Sequence, residues 1–148
     1  RGLSPAPRFL EASGEKHASS SLPILGRVAA GKPISALENL EGYLDLSRLY
    51  DPARHFCLRV RGDSMIDAGI LDNDLVIVKQ QPAVENGEIG VAVLHDEATI
   101  KYIHRTAHGI DLGPANARHR TLTVPPAETG FFIAGKVVGV HRKIGTGK

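Results

Sequence analysis

Gly90-Val91-Ala92-Val93-Leu94-His95-Asp96-Glu97-Ala98-Thr99-Ile100-Lys101-Tyr102-Ile103 is the stretch that decides the fold. Gly90 to Leu94 is a short apolar run, Ala98 to Ile103 is a second, and His95-Asp96-Glu97 between them is polar. Two apolar runs of strand length around a polar turn predict an antiparallel hairpin. The same punctuation repeats outward. Asn86-Gly87 is a tight-turn signal, and Leu75 to Lys79 is another short apolar strand. Leu71-Asp72-Asn73-Asp74 reads as a turn in which Asn73 can take a positive φ. Further upstream, Phe56, Leu58 and Val60 alternate with Cys57, Arg59 and Arg61, which gives one dry and one wet strand face. Gly62-Asp63 breaks that strand, Ser64 to Ala68 has room for one helical turn, and Gly69 stops it. Downstream, His108-Gly109 turns the chain into Ile110 to Leu112, and Thr121 to Val124 and Phe131 to Arg142 complete the set. Short strands with regular turns predict a mostly β domain, a small curled, barrel-like sheet with short helical turns.

The totals narrow the class. A chain of 148 residues can bury a real core. It is 42% hydrophobic and 23% charged, which is ordinary for a globular protein. A net charge of +2 is too small to argue for nucleic-acid binding, and no run of five or six like charges marks a basic arm. Cys57 is the only cysteine, which excludes an internal disulfide and suits a reducing, cytoplasmic setting. No apolar stretch approaches the length of a membrane span and no signal peptide is visible, so no membrane role is expected. Residues 1–21 read as a linker: Ser4-Pro5-Ala6-Pro7 and Ala18-Ser19-Ser20-Ser21 are turn-rich, with Arg8-Phe9-Leu10-Glu11 as a strand remnant. The first residue is Arg1 rather than Met, so the natural protein is expected to have continued upstream or to have been processed. Residues 22–148 are expected to form the folded part.

Three features carry candidate chemistry. Ser64 lies in Arg61-Gly62-Asp63-Ser64-Met65, just after a strand break, where a hydroxyl can be lifted clear of a sheet. A serine is a poor nucleophile until a base takes its proton. Lys101 can be that base only when neutral, and its neighbours Ile100, Tyr102 and Ile103 give it an apolar strand that disfavours the ammonium form. The main-chain N–H groups of Ser64 and Met65, at the start of a helical turn, are placed to hold an oxyanion. Upstream, Gly26-Arg27-Val28-Ala29-Ala30-Gly31 is a run of small residues, and the Ala30-Gly31 bond could enter a narrow site because Gly31 permits a sharp bend. By spacing alone, a capping serine, a surface lysine and a flexible hinge remain the commoner explanations.

Other patterns are weaker. His104 and His108 have a metal-ligand spacing but fall on a strand and its turn. Cys57 has no evident His partner. Asp63, Asp67, Asp72 and Asp74 read as solvated turn carboxylates, since the spacing of a calcium loop is absent. There is no phosphate loop or dinucleotide fingerprint. No metal and no cofactor is expected.

Taken together, these segments resemble the LexA family of self-cleaving repressors. Leu22-Pro23-Ile24-Leu25-Gly26-Arg27-Val28-Ala29-Ala30-Gly31 is similar to that family's cleavage-site region, cut between Ala and Gly, and Glu41-Gly42-Tyr43 to the segment after it. Arg59 to Met65 and Asp67 to Asp72 are similar to its nucleophile region, Glu97 to Lys101 to its lysine motif, and Gly135 to Val140 to its closing strand. Asn73 stands where a Gly is usual, and Ala117 where a Pro is common after the Asn. The resemblance reverses the bland reading of Ser64 and Lys101. It implies a mostly β, autocatalytic serine endopeptidase with a Ser-Lys dyad that cuts Ala30-Gly31 in its own chain. It implies dimerisation through the last strands, and a RecA filament on single-stranded DNA as the trigger. It also implies an upstream winged-helix domain that binds operator DNA, with Arg1-Gly2-Leu3 and Pro7 to Leu10 as the tail of its wing. The rivals are a UmuD-like accessory protein of error-prone DNA synthesis, a phage repressor domain, and a dimerisation module with a dead dyad.

Overall fold

A computed structural model describes residues 21–26 and 39–145. The chain divides into two compact units, Arg1–Asp51 and Pro52–Lys148. Of the expected linker, only Ser21 falls among the described residues.

In the first unit, β1 (Leu22–Leu25) pairs antiparallel with β2 (Leu40–Leu44), with Leu22 opposite Leu44 and Leu25 opposite Leu40. The Gly26 N–H donates to the Asn39 carbonyl at 2.7 Å, so both ends of the intervening segment are tied together. A one-turn helix, α1 (Leu46–Leu49), follows, capped by the Asp45 carboxylate accepting from the Ser47 N–H. Neither the β1–β2 pairing nor this helix was expected from the sequence, because a four-residue helix carries too little periodicity to register.

The second unit is a single seven-stranded sheet. Its strands are β3 (His55–Arg59), β4 (Leu75–Gln80), β5 (Ile89–Leu94), β6 (Glu97–Thr106), β7 (Gly109–Gly113), β8 (Leu122–Val124) and β9 (Phe131–His141). Their order is β3-β4-β9-β5-β6-β7-β8, and every pairing is antiparallel. The predicted hairpin is β5–β6, with Leu94 opposite Glu97 and positive φ at His95 and Asp96, the geometry a two-residue hairpin turn requires. The long β9 runs between β4 and β5 and breaks register with each, between Ile77 and Val78 and between Val91 and Ala92. Such irregularities bend and twist a strand, which is what curls this sheet. It does not close into a barrel: β3 and β8 remain edges.

Two apolar clusters fill the curl. One contains Val60, Met65, Ile70, Val76, Val78, Val91, Ile100 and Ala115, and the other Val84, Ala92, Ile103, Leu112, Val124 and Ile133. Met65 and Ile100 are chain neighbours of Ser64 and Lys101. Burying side chains of this size contributes roughly 1.5–3 kcal/mol each. The core therefore fixes the backbone on which both candidate residues stand.

Candidate active site

Ser64 owes its position to a break in β3. Beyond Arg59 the chain is held by reciprocal bonds, from the Val60 N–H to the Asp74 carbonyl and from the Asn73 N–H to the Val60 carbonyl, both 2.8 Å. Gly62 then turns away at φ 87°, its N–H held by the Asp72 carboxylate at 2.6 Å. Asn73 has φ 74°, the left-handed conformation that an Asn tolerates. Ser64 and Met65 lead into a 3-10 turn, Ile66–Ala68, which Gly69 ends at φ 79°. The cap residue of that turn is Met65, and no side chain caps it. The Ser64 hydroxyl is thus not spent on a capping bond. Among the described residues, the main-chain N–H groups of Asp63, Ser64 and Met65 have no acceptor.

Lys101 comes from β6, and its amine reaches Ser64. Nζ donates to Ser64 Oγ at 3.1 Å and to Thr99 Oγ1 at 2.7 Å. Thr99 and Lys101 are two apart on one strand and so share a face. Burial pushes the Lys101 pKa below the usual lysine value, and desolvation is the cause. A cavity of about 110 Å³ lies over the pair, lined by Leu58 to Arg61, Ser64, Met65 and Ala98 to Lys101. Among the described residues that lining holds two arginines and no carboxylate, so none of them favours the ammonium. When the amine is neutral the bond reverses: the hydroxyl donates to the nitrogen lone pair, the arrangement in which a base takes a serine proton. A larger groove of about 670 Å³, bordered by Phe56, Gln80 to Pro82 and Phe132 to Ala134, holds no nucleophile and no titratable group among the described residues.

The Ala30-Gly31 bond lies outside the described residues. His104 lies in β6 and His108 in the turn after it. Among the described residues, no group of three or more His, Cys, Asp or Glu is arranged to hold a metal. Cys57 is exposed on β3.

Several contacts around the site had no signal in the sequence. Asn116 Nδ2 donates to the Asp63 carbonyl at 2.8 Å, and His119 Nε2 lies 2.7 Å from Asp63 Oδ1. The His119 hydrogen bond holds the Asp63 carboxyl below its usual range. Behind the loop, Arg142 Nε and Nη2 donate to the two carboxylate oxygens of buried Asp74 at 2.7 and 2.8 Å. These partners are more than fifty positions apart, beyond the reach of any local pattern. Thr99 could have been found from strand alternation alone.

Residues 23–138 match the family described as Peptidase S24-like. A protein named LexA repressor from Moorella thermoacetica is 48% identical over 123 residues, covering 82% of this chain and 58% of that protein. One from Syntrophomonas wolfei is 45% identical over 125 residues, covering 84% and 59%. One from Geobacter metallireducens is 40% identical over 137 residues, covering 93% and 68%. The chain spans less than two thirds of the length of the first two relatives. No helix among the described residues is long and apolar enough to cross a membrane. With a family match over most of its length and a mostly β fold, this chain belongs to the Peptidase S24-like family.

Proposed function

We propose that this chain is the peptidase part of a LexA-type repressor of the DNA-damage response and cleaves its own Ala30-Gly31 bond. The observation that carries the reading is the 3.1 Å contact between Lys101 Nζ and Ser64 Oγ in a cavity whose lining, among the described residues, holds no carboxylate. Neutral Lys101 takes the Ser64 proton as Oγ attacks the Ala30 carbonyl carbon. The main-chain N–H groups of Ser64 and Met65 hold the oxyanion. The intermediate collapses, Lys101 gives its proton to the Gly31 nitrogen, and the carboxyl-side fragment leaves as an amine. Water, with Lys101 again as base, hydrolyses the Ala30 ester on Ser64.

The strand edges suit an extended peptide. Among the described residues, Glu97 to Lys101 of β6 have a strand partner only in β5, since pairing with β7 begins at Tyr102. The unpaired edge beside the cavity can receive a peptide as an added strand. Because substrate and site share one chain, tethering supplies a high local concentration. Control then rests on how often the segment docks and how often Lys101 is neutral. A partner that binds the docked state better, here a RecA filament on single-stranded DNA, raises its population.

Dimerisation through the last strands is part of the same reading. Phe132, Val138 and Val140 on β9 are 57%, 37% and 43% exposed, an apolar set that supports an interface with a second copy. Operator binding belongs to a part of the protein upstream of this chain. Cleavage would separate paired peptidase domains from their DNA-binding domains and remove the gain from bivalency.

The test is incubation of the purified chain at alkaline pH with mass analysis of the products. Two fragments split after Ala30, absent in Ser64→Ala, support the reading. An intact chain at every pH removes it.

A further inference from the structure

The two peptide planes that flank Ser64 are both held by one distant turn. The Asp63 carbonyl shares a planar peptide with the Ser64 N–H, and the Ser64 carbonyl shares one with the Met65 N–H. Asn116 Nδ2 donates to the first carbonyl at 2.8 Å, and the Ala115 N–H donates to the second at 2.7 Å. In a trans peptide the N–H points opposite to the C=O, so holding each carbonyl aims the N–H on its other side. The bracket is closed by the Asp67 N–H donating to the Ala115 carbonyl at 2.8 Å. The Asn116 amide is itself locked, because its Oδ1 accepts from the Arg118 N–H at 2.9 Å. The same turn, closed by the His119 N–H donating to the Asn116 carbonyl at 3.0 Å, brings His119 to the Asp63 carboxylate.

We propose that the turn Ala115–His119 aims the two oxyanion donors of this site, with Asn116 and His119 as positioning residues. The proposal rests on the self-cleavage reading and extends it to residues that touch no reacting atom. His119 and Asp63 have side chains 43% and 53% exposed. A side-chain contact so open to water adds little to stability, so its contribution is directional. The carbonyl bonds fix two planes. The His119 contact ties the Asp63 side chain to the same turn, next to the left-handed Gly62 at φ 87°.

The experiment uses the full 148-residue chain and follows self-cleavage rate against pH, together with Tm. Asn116→Asp removes the side-chain donor to the Asp63 carbonyl, leaving it the Ile66 N–H at 3.2 Å, and keeps the acceptor for Arg118. His119→Ala removes the side-chain contact, and His119→Gln restores a donor. The expected result for Asn116→Asp and His119→Ala is a plateau rate lower by about ten- to a hundredfold. The alkaline inflection stays in place because Lys101 is untouched, Tm shifts by no more than about 4 °C, and His119→Gln recovers most of the rate. Plateau rates equal to the native one overturn the bracket and leave the peptidase reading standing. A slowing that only follows lost folded protein, or a displaced inflection, also overturns it. If the native chain yields no split after Ala30, the peptidase reading itself falls, and the bracket with it.

Discussion

Asp74 and Lys101 are both ionisable groups that folding takes from water, and they meet opposite surroundings. Asp74 is 1% exposed and receives a two-pronged contact from Arg142, a third bond from the Leu71 N–H at 2.7 Å, and a carboxyl pKa held below its usual range chiefly by the Arg142 hydrogen bond. Among the described residues Lys101 bonds to two hydroxyls, and its pKa is lowered by burial. The first arrangement keeps its charge, and the second is arranged to lose it. Asp74 closes the loop that carries Ser64, joining Val60 to the end of β9. Lys101 faces the hydroxyl that this loop presents. A neutralised charge serves as a fastener, while an unneutralised one gives up its proton more readily than the same group in water.

The largest expected effect comes from deleting the unneutralised side. Lys101→Ala should lower self-cleavage by at least about a thousandfold at every pH, since partners in a nucleophile–base pair act as a unit. Retention of more than a tenth of the native rate would mean that some other group takes the proton. Deleting the fastener comes next. Arg142→Met leaves the Asp74 carboxylate buried without its cation and with the Leu71 N–H bond remaining, a loss of about 3–5 kcal/mol in denaturant unfolding. A loss below about 1 kcal/mol would show that the carboxylate reaches water or another donor.

A third experiment makes the two sites alike. Thr99→Asp puts a carboxylate where a hydroxyl now meets the Lys101 amine. The alkaline inflection of self-cleavage should move up by about 1–3 pH units, with an equal logarithmic loss of rate at neutral pH. An unmoved inflection would sever the rate from Lys101. The smallest effect is on stability. The penalty for burying charged Lys101 is full below its lowered folded pKa and disappears as pH rises to the ordinary 10.5. The Asp74 contribution runs the other way: full above the ordinary 3.8, it is lost as pH falls through its folded value. Lys101→Met should therefore stabilise the chain at neutral pH, by at most about 1 kcal/mol because the amine is only half-buried. The gain should vanish above pH 10.5. A gain that persists there would come from packing rather than charge.

Much of this was legible in the chain itself. The β5–β6 hairpin, the Phe56/Leu58/Val60 alternation, the αL turn at Asn73 and the stop at Gly69 are local statements. Each is fixed by residues within a few positions of one another, through side-chain periodicity or permitted φ. The strand order was not legible. Placing β9 between β4 and β5 joins segments far apart in sequence, and no local pattern records which edges meet. The bracket from Asn116 and His119 was equally hidden, because an Asn or a His in a turn looks the same whether or not a distant carbonyl awaits it.

The residue types alone determined that a hydroxyl after a strand break and an amine within an apolar strand were available, because burial preference and backbone freedom are properties of short segments. Only the curl of the sheet decided that the amine lies 3.1 Å from the hydroxyl. It also decided that, among the described residues, no carboxylate lines their cavity, and that Arg142 rather than water answers Asp74. Distances between segments, and the dielectric between charges, arise when the chain packs and the core excludes water.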